Sequence, residues 1–405
     1  MRGLAYLNLL LLVVLTACGG GGGDTPPDTG SASRGDLVSS TELGTYTADE
    51  INIAATGYPI SAVHGARLIR VVYKTQNTDN RIIDVSGILV LPVKTLAGPS
   101  PLLVYHHGTI FHNDHAPSNS LLMQLFAALL GSQDYIVLMP DYIGYGESAA
   151  LLHPYDHASS LAVTSVDMLR AARTFLQQQA IPSQDKLFLT GYSEGGYAAL
   201  ATHKLIEEDY ASEFTVTASV PGAGSYDMTT TLGYYLGMDP LLNEAALVYA
   251  FKAYDHIYHL NRLSEFFNPA VVPVANDWFY GDKYEPEIQT ALPDTIGEIF
   301  TDSFLTNYAM DDGEAELKAR LTENNIYDWK PRAPIRFYHG TDDHIVPLQN
   351  SIAARDAMLA RAVADDVDVT LVECDLASDA SSDAHLKCIP AFNAYMITTF
   401  NGYLP

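Results

Sequence analysis

The chain has 405 residues, 48% of them apolar, and a formal net charge of −26 at neutral pH. That length suits two or three average domains, or one large α/β core with an insertion, and the apolar share is ample to fill it. The charge argues against a nucleic-acid partner, since a phosphate backbone would be repelled, and it identifies no substrate.

Met1-Arg2-Gly3 is a short basic start, and 4–15 is an apolar run too short to span a bilayer. Leu15-Thr16-Ala17-Cys18 has the form of a bacterial lipobox. The segment 1–17 resembles a lipoprotein signal peptide, which implies cleavage before Cys18 and lipid on that residue. An ordinary secretory signal cut nearby is the plainer alternative. Acyl chains on Cys18 would hold the protein on an envelope membrane. Gly19 and Gly20, with no Asp after the cysteine, point to the outer membrane, facing periplasm or cell surface. Residues 18–40, opening with the glycine run 19–23, read as a flexible tether.

From 38 to 57 no strong period appears. Stretches 68–74 and 82–91 alternate as two β-strands around the turn-rich 76–80, and so suggest an antiparallel pair. Beyond them, short apolar runs at 101–106, 135–139, 186–190 and 215–220 alternate with helical stretches at 118–131, 161–179 and 196–206. That rhythm predicts a mostly parallel sheet covered on both faces, with ligands bound at the carboxyl ends of its strands. It breaks at 228–331, which has helix-like segments, many aromatics and no convincing strand. This reads as a helical cap over the site, most of its aromatics forming its own core and a minority lining a pocket. The rhythm resumes with a strand at 335–339, a helix at 349–364, a strand at 367–373 and a last helix at 390–403. The α/β core is therefore expected over 41–227 and 332–405.

One stretch carries chemistry. Gly191-Tyr192-Ser193-Glu194-Gly195 is a G-x-S-x-G pentapeptide between a buried strand and a helix, the context of a nucleophile elbow. A serine hydroxyl needs a base, normally a histidine oriented by a carboxylate. In this fold class the order along the chain is nucleophile, acid, histidine. Asp343, in the loop after strand 335–339, fits the acid, with Asp342 as its rival. His385 fits the base, being the only histidine after the last strand. The backbone N–H groups of Glu194 and Thr109 are the expected oxyanion donors. His106, His107, His112, His115 and Asp114 raise a metal site as an alternative, but their spacing matches no strong zinc pattern. No metal or cofactor is expected. His153 and His157 read as structural supports of a loop near the site. Cys374 and Cys388 flank His385 fourteen residues apart. In an oxidising compartment they pair, or else remain two buried thiols.

Tyr105-His106-His107-Gly108-Thr109, Pro140-Asp141-Tyr142-Ile143-Gly144-Tyr145-Gly146, His153-Pro154-Tyr155-Asp156-His157, Asp167-Met168-Leu169-Arg170-Ala171-Ala172-Arg173, Gly191 to Gly196 and His339-Gly340-Thr341-Asp342-Asp343 carry a family resemblance. The chain resembles the α/β-hydrolase superfamily, in its bacterial lipase and esterase branch near the secretory lipases, over most of 60–400. The resemblance implies Ser193, Asp343 and His385 as a triad under a helical lid. Relatives often carry Gln where Glu194 stands. The expected activity is hydrolysis of small-molecule or lipid esters. A serine peptidase on the same scaffold is the second reading, and a non-enzymatic surface binding protein the third. No protein partner is evident.

Overall fold

The computed structural model describes residues 33–95, 98–363, 366–379 and 383–405. The signal peptide, Cys18 and the tether up to residue 32 lie outside the described residues. Nine strands form one sheet in the order β1-β2-β3-β5-β4-β6-β7-β8-β9. They are β1 Leu37–Tyr46, β2 Gly65–Gln76, β3 Ile82–Val93, β4 Ser100–His106, β5 Ile136–Pro140, β6 Ser183–Tyr192, β7 Ala218–Gly222, β8 Ile335–Gly340 and β9 Val369–Cys374. The pairs β1/β2, β2/β3 and β3/β5 are antiparallel, and every later pair is parallel.

Strands β4 and β5 are buried along their whole length, which is why they read as unbroken apolar runs. Alternate side chains face opposite layers. Leu103, Tyr105 and Val137 pack with helix α2 (Leu121–Gly131) and with Phe392, Met396 and Phe400 near the C-terminus. Leu102, Val104 and Ile136 pack instead with Val166, Leu169 and Phe175 of α3 (Ala158–Gln178). Each fully buried side chain of this size contributes about 1.5–3 kcal/mol. Two elements touch this core only lightly. In α1 (Ala48–Ala54) the only buried residue is Ile51, although Thr47 and Glu50 form a capping box. In β1 no residue is fully buried. So little burial leaves no hydrophobic period, which is why 38–57 shows none in the sequence although it holds a strand and a helix.

The tether assignment over 18–40 is also corrected at its end. The Gly35 N–H donates to the Lys74 carbonyl at 2.8 Å, and the Arg34 Nε donates to the buried Asp167 at 3.0 Å. Residues 34 and 35 are therefore held on the folded core, and Leu37 already lies in β1.

Helix α4 (Glu194–Asp209) follows β6. Between β7 and β8 runs an all-helical insert of α5 Met228–Leu236, α6 Glu244–Ile257, α7 Leu263–Phe266, α8 Val272–Asp277, α9 Glu285–Ala291, α10 Ile296–Ile299, α11 Asp302–Tyr308 and α12 Ala315–Glu323. Phe251, Phe266, Phe267, Phe300 and Phe304 meet one another edge-on, tilted or, for Phe300 and Phe304, stacked, giving this insert its own aromatic core. The chain closes with α13 Gln349–Ala360, α14 Ala384–Lys387 and α15 Ile389–Asn401.

Candidate active site

The turn between β6 and α4 is forced by close packing. A Cβ on Gly195 would sit 2.1 Å from the His106 carbonyl oxygen, and one on Gly191 would sit 2.3 Å from the Gly195 oxygen. Only glycine allows helix and strands to meet this closely. Ser193 at the apex has φ +60° and ψ −127°, a conformation that costs an L-residue roughly 1–3 kcal/mol and persists only where the surroundings impose it. Its N–H is tied to the Gly222 carbonyl at 2.9 Å, and its own carbonyl accepts from the Tyr197 N–H at 3.1 Å.

The loop after β4 lies against this apex. A Cβ on Gly108 would be 3.2 Å from the Tyr192 oxygen and 3.7 Å from the Ser193 Cβ. Thr109 follows directly, its hydroxyl 2.9 Å from the Tyr155 hydroxyl. The elements carrying Thr109 and Glu194 thus both border Ser193.

Asp343, in the loop after β8, is buried and fully engaged. Its Oδ1 accepts from the Ile345 and Val346 N–H groups at 3.0 and 2.8 Å. Its Oδ2 lies 2.6 Å from the His385 Nδ1. Burial by itself would raise this carboxyl. The charge of His385, the hydrogen bonds from His339 and His385, and the charge of His339 outweigh it and hold the group well below the usual carboxylate range. Asp342 turns the other way, accepting from the Ser378 N–H at 2.7 Å with its side chain 44% exposed. Of the two candidates, only Asp343 reaches the histidine.

His385 lies in α14 and is 3% exposed. Its ring sits 5.1 Å, centroid to centroid, from that of Tyr192, the residue before Ser193. A disulfide joins Cys374 at the end of β9 to Cys388 just past α14, closing the loop that carries His385. With Nδ1 donating to Asp343, Nε2 is left with its lone pair, the arrangement needed to accept a hydroxyl proton.

Several residues carry more than their sequence signal showed. Glu194 brings more than its N–H: its side chain is buried with Oε1 2.6 Å from the His153 Nε2. His153 Nδ1 donates to the Ile143 carbonyl at 2.7 Å, so the contact with Glu194 fixes that loop against the elbow. His339 lies behind the acid, with Nε2 3.3 Å from the Asp343 Oδ2 and 2.9 Å from the Val346 carbonyl. The His-Gly spacing ahead of Asp343 was its only signal. His157 caps α3. Two of the histidines raised as metal ligands have both ring nitrogens occupied: His106 meets the Thr190 carbonyl and the Ser165 hydroxyl, and His107 meets the Gly108 and Asp141 carbonyls. His112 stacks on Tyr284. Among the described residues, no three His, Cys, Asp or Glu side chains converge as metal ligands would.

A cleft of about 670 Å³, its open mouth included, lies between Ser193 and the helical insert. Met228, Leu232, Leu247, Phe251, Leu317 and Leu321 form much of its apolar wall. Such a cleft accepts an apolar group beside the serine.

The sequence model of the secretory lipase family matches residues 118–255. That stretch contains Ser193, Glu194 and His153 but neither Asp343 nor His385. Lipase A from Moesziomyces aphidis is 24% identical over 229 residues, which are 53% of this chain and 44% of that lipase. The chain thus spans less than half the length of that relative. Among solved structures, the rice cell wall degrading esterase LipA from Xanthomonas oryzae is 27% identical, with 91% of this chain and 98% of that one covered and a TM-score of 0.82. Candida antarctica lipase A in its closed state shares the fold at 17% identity, covering 94% of this chain and 85% of that one, with a TM-score of 0.65. The chain has the α/β-hydrolase fold, and its likeness within that fold is to lipases and esterases.

Proposed function

We propose that this α/β-hydrolase is a serine carboxylic-ester hydrolase that works through an acyl-enzyme on Ser193. The carrying observation is the 2.6 Å contact between His385 Nδ1 and Asp343 Oδ2, with the histidine ring packed beside the elbow. In this reading His385 Nε2 takes the Ser193 proton as Oγ attacks the ester carbonyl. The N–H groups of Glu194 and Thr109 hold the oxyanion. His385 then protonates the leaving alcohol and afterwards draws a proton from water, which releases the acid. Asp343 keeps the imidazole in the tautomer that leaves Nε2 free. The helical insert serves as the lid, and the apolar cleft receives the acyl or alcohol group. Hydrolysis of a p-nitrophenyl ester by the wild type, lost in Ser193→Ala, is the test. Equal rates in both, with no labelling of Ser193 by a fluorophosphonate, would overturn the assignment.

The reading extends to location. The similarity to secretory lipases supports export, and no helix among the described residues is long and apolar enough to cross a membrane. We infer an outer-membrane lipoprotein held by lipid on Cys18, with the segment up to residue 32 as its tether. Fractionation of wild type and Cys18→Ser tests this. The wild type is expected with the outer membrane and the variant away from it; identical distribution of the two removes the anchor.

A further inference from the structure

Most polar groups around the cleft beside Ser193 already have partners. Glu194 holds His153, and the Tyr155 hydroxyl meets Thr109. The Tyr235 and Tyr254 hydroxyls donate to the carbonyls of Ile345 and Asp156. The Asp156 carboxyl is different. The residue lines the cleft and is only 6% exposed, and its buried Oδ1 has no hydrogen-bond partner among the described residues. A buried polar group left in that state destabilises the fold by an amount comparable to a lost hydrogen bond.

The backbone does not explain the carboxyl. Asp156 has φ +49°, on the turn where the His157 N–H donates to the Pro154 carbonyl at 3.2 Å just before α3. Asn or Gly meets that left-handed conformation as well as Asp does. The turn therefore calls for a small or permissive residue, not for an acid facing an apolar cleft.

We propose that Asp156 is a specificity residue, its carboxyl donating a hydrogen bond to an acceptor oxygen carried by the substrate group lodged in the cleft. Esters whose cleft-bound group bears an ether, carbonyl or hydroxyl oxygen are then taken in preference to plain alkyl esters. Burial first, and the negative charge of Glu194 second, push this carboxyl well above the usual range, so it keeps the proton it donates. The substrate preference rests on the serine-esterase reading; the binding contact does not.

The test uses p-nitrophenyl esters in which one acyl methylene is replaced by oxygen at successive positions, each compared with its all-carbon parent. Asp156→Gly removes the donor and Asp156→Asn keeps one, and both residues suit the turn. One oxygen position is expected to raise kcat/KM over the parent by about 5- to 10-fold more in wild type and Asp156→Asn than in Asp156→Gly. In parallel, binding of alkanols and their ether analogues to Ser193→Ala reads the same contact without turnover, for a group entering from the alcohol side. A preference seen in either assay and lost in Asp156→Gly supports the proposal. Identical profiles in wild type and Asp156→Gly in both assays overturn it, as does an Asp156→Asn variant indistinguishable from Asp156→Gly. Absence of all ester turnover with the ether preference intact in the binding assay would strike the esterase reading and leave the Asp156 contact standing.

Discussion

The His153 Nε2 and the Glu194 Oε1 lie 2.6 Å apart with each side chain about 1% exposed, so the residue next to Ser193 is pinned to a loop some forty positions earlier in the chain. Because Nδ1 of His153 faces a carbonyl and must donate to it, the contact with Glu194 holds one proton between the two groups. Neither partner can be removed alone without leaving the other buried and unmatched.

Truncation should expose that dependence. His153→Ala is expected to cost about 3–5 kcal/mol, the range for breaking a buried pair, read as a lowered guanidinium midpoint. Glu194→Gln, whose amide N–H can donate to a neutral His153, should lose about 1 kcal/mol or less. Similar losses in both variants would mean that the charge, and not the hydrogen bond, holds the loop.

Two glycines predict opposite signs. A Cβ on Gly195 meets backbone of β4 at 2.1 Å, so Gly195→Ala should destabilise by at least about 3 kcal/mol or prevent folding. Gly233 lies in helix α5 with nothing within 4 Å of its built Cβ. Gly233→Ala should therefore stabilise by about 0.4–1 kcal/mol, through helix propensity and a less flexible unfolded chain. Thermal melts of both variants beside the wild type check the pair.

Acid should weaken the fold partly through Asp343. Its folded-state pKa is depressed, so it contributes stability that is fully present above its unfolded value near 4. That contribution is lost as pH falls from there toward the folded value. Denaturation midpoints measured from pH 7 down to pH 3 should drop more steeply below about pH 4 for wild type than for Asp343→Asn. Parallel curves would show that His385 and His339 do not stabilise the Asp343 carboxylate.

The parts of this molecule that were legible in sequence are those where one local rule acts alone. The β6-turn-α4 unit was readable because Gly191, Ser193 and Gly195 sit between a buried strand and a helix, and Asp343 and His385 because topology fixes their order after Ser193. Strand β1 was not readable, because it lies at the sheet edge with no buried face to leave an alternating pattern. The partners His153 to Glu194 and His339 to Asp343 were hidden for another reason. Each meets its carboxylate only after loops fold back, and a buried histidine looks the same in sequence whether it supports a catalytic acid or caps a helix. Asp156 has no signal of its own in the sequence, since nothing in its spacing tells a paired carboxyl from an unpaired one.

The disulfide offers the sharpest separation of stability from catalysis. Cys374 and Cys388 close a loop of sequence separation 14 around His385, and in the chain-entropy model such a bridge contributes about 3 kcal/mol. A Cys374→Ser/Cys388→Ser double variant should lose roughly that much, read as the shift in guanidinium midpoint. The cleft is lined from α5, α6, α12, Tyr155 and Asp156 before α3, and the loops near Ser193, Ser225 and Val346, with no contribution from the described residues of the bridged segment. Substrate binding should therefore be little affected and KM should stay near the wild-type value. His385 would lose the closure of its loop and retain the 2.6 Å bond to Asp343 and the bond from its N–H to Asp383. Its misplacement on release of the loop should lower kcat by about 10- to 100-fold. If kcat holds while stability falls, the contacts with Asp343, Asp383 and Tyr192 orient the histidine without the bridge, which then serves the fold. If KM rises with kcat unchanged, the bridged loop reaches the cleft in the working enzyme.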